Sequence, residues 1–156
     1  MASFESKVSD IFHEKTNLIS HFPELVQKLF HESERSFFQR IQKEEHDTHP
    51  DLVLLYDIAF MDFYYPELDD WLLPWIIENY PREFTQDELG EMAAQANSYL
   101  DFYQVQEINP GVGSRIQSLI TDQEFFLNDV NSSNAVSKWD IFLARCYPWQ
   151  SKYLAT

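Results

Sequence analysis

Through the first hundred residues the apolar side chains recur three and four positions apart. Phe4, Val8, Ile11, Phe12, Leu18 and Ile19 follow that spacing, with Lys7, Asp10, Glu14 and Lys15 largely opposite, which predicts an amphipathic helix. Pro23 then stands where a new helix can begin, since a first-turn residue needs no N–H donor. Val26, Leu29, Phe30, Phe37, Phe38 and Ile41 mark a second apolar stripe, ended by the polar run at 43–47. Thr48-His49-Pro50-Asp51 reads as a helix start, with Thr48 as N-cap and Pro50 in the first turn. Leu52, Leu55, Tyr56, Ala59, Phe60 and Phe63 share one side of that helix, and Tyr65-Pro66 breaks it. A short aromatic helix over 69–79 tolerates Pro74 near its first turn. Thr85-Gln86-Asp87-Glu88 has the form of a capping box and starts a helix over 86–98.

After Leu100 the period changes. Residues 102–108 are rich in strand formers, and Asn109-Pro110-Gly111-Val112-Gly113 supplies turn chemistry. Strands are predicted over 115–120 and 124–130 around Thr121-Asp122-Gln123, followed by a loop at 131–134. The apolar run 140–147 predicts an interior strand, and 152–155 a short last one. Helices first and strands afterwards argue an α+β fold. It consists of four to five N-terminal helices packed with a C-terminal, mostly antiparallel small β-meander or barrel-like sheet. The expectation is a single domain over 1–156, with a helical half at about 1–100 and a β half at about 101–156.

Charge sharpens the picture. The chain carries 26 acids against 11 bases, a formal −15, and residues 51–100 hold eleven acids with Arg82 as their one base. Such a field repels phosphate backbones and anionic lipid and attracts cationic partners. No direct nucleic-acid or membrane partner is expected, and a basic protein is. No run of about 18 apolar residues predicts a membrane span. Met1-Ala2-Ser3-Phe4-Glu5 does not open a secretory leader. The single cysteine, Cys146, allows no intramolecular disulfide, which points to a reducing cytoplasm.

The candidate chemistry is thin. Gly90, Gly111 and Gly113 are the three glycines, and neither the dinucleotide fingerprint nor the Walker loop can be written with them. Glu44-Glu45-His46-Asp47-Thr48-His49-Pro50-Asp51 is the most metal-like stretch, but His46 and His49 straddle a helix end and a loop, so a solvated turn is expected. Asp69 and Asp70 are adjacent, so on a helix their side chains diverge by about 100° and make no acid–base dyad. No Gly-x-Ser-x-Gly is present, and Cys146 falls in a strand with no base positioned beside it. No catalytic residue, cofactor or metal ligand is therefore assigned.

The last third resembles a domain family found in proteins with a SecA-C-terminal-like zinc motif, the SEC-C proteins. Phe102 and Val105 match that family's aromatic strand, Pro110, Gly111 and Gly113 its turn, and Leu119 and Thr121 its second strand and hairpin. Asp140, Leu143, Ala144, Arg145 and Pro148 match its closing segment, and the likeness extends over about 60–149. Asp122 and Trp139 stand where the family carries glycine, and with Cys146 alone the zinc motif itself is absent. The resemblance implies a fold and no activity.

Residues 51–100 join the densest acid to a cluster of aromatics, and Asp62, Asp69, Asp70, Trp71 and Trp75 are the candidate partner-binding residues. The function expected is a non-catalytic acidic interaction module binding a basic partner. The alternatives are a nucleic-acid mimic that inhibits a DNA- or RNA-binding protein, and a hydrolytic or metal-dependent enzyme.

Overall fold

A computed structural model describes residues 4–42 and 49–155. The chain divides into two compact units, Met1–Leu89 and Gly90–Thr156. Among the described residues there are seven helices and seven strands, an α+β structure whose main sheet is C-terminal.

Unit 1 holds α1 (Phe4–Lys15), α2 (Leu18–Phe30), α3 (Glu34–Ile41), α4 (Pro50–Met61), β1 (Tyr64–Tyr65), β2 (Asp70–Trp71), α5 (Leu72–Asn79) and the start of α6 (Gln86–Ala96). Phe12, Leu25, Val26, Phe37, Leu55 and Ile76 bury their side chains in its core. Tyr65 is fully buried, and its hydroxyl donates to the Ala59 carbonyl at 2.8 Å, which satisfies the one polar group it takes inside.

Helix boundaries depart from the periodicity where side chains cap the backbone. The first stripe splits at Thr16, whose hydroxyl and N–H both donate to the Phe12 carbonyl. Pro23 lies inside α2 instead of opening it. The N–H it lacks would have bonded the carbonyl of Ile19, a residue so exposed that water can serve instead. The second stripe is also cut in two. His31, at a φ of 55°, ends α2, and the Ser33 hydroxyl caps α3 by accepting from Ser36 N–H at 3.2 Å. At α4 the cap is His49, whose Nδ1 accepts from Asp51 N–H at 3.2 Å, with Pro50 at the first position. Thr48, expected to cap, lies outside the described residues, as does His46. Residues 69–71 do not start a helix. They close a two-stranded hairpin, and α5 begins after it with Pro74 at its third position.

Unit 2 is a barrel built from β3 (Leu100–Asn109), β4 (Gly113–Ser118), β5 (Glu124–Leu127), β6 (Ile141–Trp149) and β7 (Lys152–Ala155), with α7 (Val130–Ala135) between β5 and β6. The strands close in the order β3-β4-β5-β7-β6. β3 pairs its first half with β6 and its second with β4, turning the corner at a register shift between Val105 and Glu107. All pairings are antiparallel except β5 with β7, which meet in parallel at Leu127 and Tyr153. The sheet is therefore a Greek-key barrel and not a simple meander, with the connectivity of the OB type. Tyr103, Val105, Ile116, Leu127 and Ala144 fill its interior, alternating with outward residues as the strand period demands.

The expected loop at 131–134 is a helical turn, α7. The Asp129 carboxylate accepts from Asn131 and Ser132 N–H and starts it, and Ser133 Oγ takes Gly111 N–H at 3.1 Å against the β3–β4 turn. The C-terminal part of α6 covers the outside of β6. Gln95 Nε2 meets Tyr147 Oη at 3.0 Å, and a Cβ at Gly90 would fall 2.7 Å from the Trp149 ring, so glycine is what lets strand and helix approach. Arg145 is fully buried on the same face and donates from Nη1 to Ser98 O at 2.8 Å.

Candidate functional site

Three of the five expected partner-binding residues sit together. The β1–β2 hairpin pairs Tyr64 with Trp71 and Tyr65 with Asp70. Asp69 occupies its turn at a φ of 55°, a conformation that aspartate adopts more readily than most residues. Tyr64 ties the group together, donating its hydroxyl to Asp69 Oδ1 while its ring stands edge-on to Trp71 at 5.3 Å. Asp70 Oδ1 accepts from Trp71 N–H at 2.8 Å. Both carboxylates thus complete a tight turn, and neither is placed as a dyad with the other. Asp62 and Trp75 stand on the flanking elements, Asp62 at the C-terminal cap of α4 and Trp75 on α5 with its ring 5.5 Å from Tyr80.

Glu67, at the turn of this hairpin, ties it to α2. Its carboxylate accepts from Asn17 N–H at 3.0 Å, and both its oxygens lie 3.1 Å from His21 Nε2. Desolvation works against its ionisation, but backbone N–H donors, Asn17 first, and His21 outweigh it and hold the carboxyl below the usual range.

Beside this contact lies a cleft of about 630 Å³. Leu18, Ile19 and Phe22 of α2, Phe38 of α3, and Leu52 and Tyr56 of α4 give it an apolar lining, with His13 and Glu34 as its charged or titratable groups. Phe22 and Phe38 stack with centroids 5.4 Å apart. A second depression shares Thr16 and Asn17 with the cleft and adds Glu14, Lys15, Ser20, His21 and Glu67. Periodicity counts Ile19, Phe38 and Tyr56 as buried-stripe positions. In the structure Ile19 is 85% exposed, Tyr56 45% and Phe38 36%. The periodicity alone does not separate Ile19 from its neighbours, since the adjacent Leu25 and Val26 of the same helix are both buried.

Cations of this unit are largely consumed internally. Lys7 bridges Glu88 at 3.1 Å, Lys28 bridges Glu24 at 2.7 Å, and Lys15 pairs with Glu14. Arg40 joins α3 to α4, with Nη2 2.6 Å from Glu32 and Nη1 2.6 Å from Asp51. The unit carries nineteen acids against seven bases, net −12, so carboxylates remain in excess after every pair is formed.

The barrel interior contains a polar group of its own. Asp101 is 1% exposed, and its Oδ2 accepts from Ser118 Oγ at 2.6 Å while Oδ1 has no partner. Ser118 Oγ in turn accepts from Thr121 N–H at 2.8 Å, ordering the β4–β5 turn. Cys146 is nearby, its thiol pushed up to about 12, mainly by burial and further by the Asp101 charge, against a hydrogen bond from Tyr103 that lowers it. A thiol so raised is protonated at neutral pH and a poor nucleophile. Among the described residues no three His, Cys, Asp or Glu side chains cluster to hold a metal ion, and no helix is long and apolar enough to cross a membrane. No protein-family model, curated protein or solved structure matches this chain.

Proposed function

We propose that this chain is a non-catalytic interaction module whose acidic helical unit receives a basic protein partner in the cytoplasm. The observation that carries the reading is the uncompensated charge of unit 1, net −12 with Lys7, Lys15, Lys28 and Arg40 already paired, around exposed aromatic and aliphatic side chains. Long-range attraction from such a surface raises the encounter rate, and apolar contact supplies the affinity.

Barrels of the OB type bind oligonucleotides across the face of their second and third strands. Here that face is β4–β5, where the outward Arg115, Gln117, Glu124 and Phe126 include one cation, itself 3.5 Å from Glu107. Stacking surfaces for nucleic acid lie in positive grooves, so this composition speaks for a protein partner instead. Membership of the SEC-C-associated family remains part of the proposal. What supports it is that Asp122 and Trp139, where that family has glycine, take φ values of 59° and 77°, a region glycine enters freely.

The test is affinity capture from the native cell, followed by stopped-flow association with the protein captured. Association is expected to slow several-fold as salt passes about 0.15 M, where the Debye length is about 8 Å. The triple variant Asp62→Asn, Asp69→Asn, Asp70→Asn should slow it similarly without lowering the thermal midpoint. Salt-independent kinetics would sink the reading.

A further inference from the structure

The cleft in unit 1 invites a more specific reading, which rests on the interaction function above. We propose that the cleft lined by α2, α3 and α4 seats an amphipathic helix of the basic partner, its apolar stripe inward and a Lys or Arg of its flank over the depression that holds Glu14 and Glu67.

Burial supplies the first reason. Ile19, Phe38 and Tyr56 line the same cleft and remain exposed, although the same three helices have Leu25, Val26, Phe37 and Leu55 inside. Large apolar side chains grouped at a concavity mark a place for a ligand's apolar groups, whereas the same side chains scattered singly would not.

Charge selects the class of occupant. The apolar trough contains Glu34, and the depression that continues it past Thr16 and Asn17 adds Glu14 and Glu67 against Lys15, with His13 in the first and His21 in the second. Lys15 is already engaged by Glu14. An occupant that is apolar on one side and cationic on its flank matches both surfaces, while an anionic ligand would add to the excess of Glu14, Glu34 and Glu67 over Lys15.

Geometry selects a helix over a strand. Strand addition needs an open sheet edge. The strands of unit 1 are two residues long, and those of unit 2 close on themselves. A groove between helices instead takes anchors at i, i+3, i+4 and i+7. The cleft's 630 Å³ has the size of a site for a few such side chains.

The experiment uses the full chain and three synthetic peptides of about 18 residues, long enough for about 27 Å of helix. One places Leu on a helical stripe with Lys opposite, one scrambles the same residues, and one replaces Lys by Gln. The Leu/Lys helix is expected to bind at least about tenfold more tightly than either control, about 1.4 kcal/mol. Ile19→Gln and Tyr56→Ala, both at exposed positions, should each remove most of that margin with unchanged circular-dichroism melts.

If the ordered and scrambled peptides bind alike and both are released by salt, the cleft proposal falls and the acidic-module reading survives. If the Gln peptide binds as well as the Lys one, the cationic helix is wrong. Full affinity in the Ile19→Gln and Tyr56→Ala variants also overturns the proposal. Failure of every peptide to bind at millimolar concentration removes the cleft proposal, while the acidic-module reading is decided by the salt dependence of association with the captured partner.

Discussion

Trp139 sits at a φ of 77°, where a Cβ crowds the backbone and a bulky residue is rare. The left-handed region costs a non-glycine residue about 1–2 kcal/mol. Partial compensation comes from Lys138 Nζ, 4.5 Å from the Trp139 ring centre, and from the Trp139 N–H bond to Val105 O at 2.8 Å. Truncation to alanine keeps the strain and loses the cation–π contact, whereas glycine relieves the strain at an entropic cost of about 0.4–1 kcal/mol. Trp139→Gly should therefore be more stable than Trp139→Ala by about 0.5–1 kcal/mol, the reverse of the usual order, and paired urea melts would measure it. Cys146 gives a second test at this scale. Its half-buried, protonated thiol should react slowly with a thiol reagent at pH 8 in the native protein and rapidly in urea. Equal rates would place the sulfur in solvent.

Individual elements are held at their ends by identifiable groups. At α6, Thr85 Oγ1 accepts from Glu88 N–H at 3.2 Å while Glu88 Oε2 accepts from Thr85 N–H at 2.7 Å, the reciprocal pair expected from the four residues alone. Thr85→Ala should lower stability by about 0.5–2 kcal/mol, and an unchanged denaturation midpoint would show that the helix starts without this cap. The β1–β2 hairpin depends instead on the distant Asn17 and His21 through Glu67. The folded pKa of Glu67 is lowered below 4.5, so its contribution is complete above that value and is lost as pH falls through the folded pKa. Wild-type urea midpoints should drop below about pH 4.5, and Glu67→Gln should flatten part of that drop. Local legibility explains the difference between the two elements. The Thr85 cap needs only its own neighbours in the chain. The hairpin over 64–71 was hidden because its strands are two residues long and its turn is tied to a helix fifty residues earlier.

At the scale of the whole molecule, charge is distributed unequally between the units. Unit 2 carries seven acids and four bases, net −3, against −12 in unit 1. Like charges in such excess repel one another and oppose the compact state. Salt is therefore expected to raise the melting temperature while it slows association with a cationic partner. A melting temperature that falls with added sodium chloride would show that the internal ion pairs outweigh the repulsion. The sequence by itself determined the α+β class, the succession of helices and then strands, the start of α6 and the excess of acid. These follow from composition and from preferences exerted within a few residues of each position. Only the tertiary structure decided that β5 and β7 meet in parallel to close the barrel, that Arg145 is buried, and that Ile19 and Tyr56 stay outside the core. Period alone assigns a residue to a face of its helix. Whether another element comes to cover that face depends on segments far along the chain, and beside the cleft the described residues leave it open.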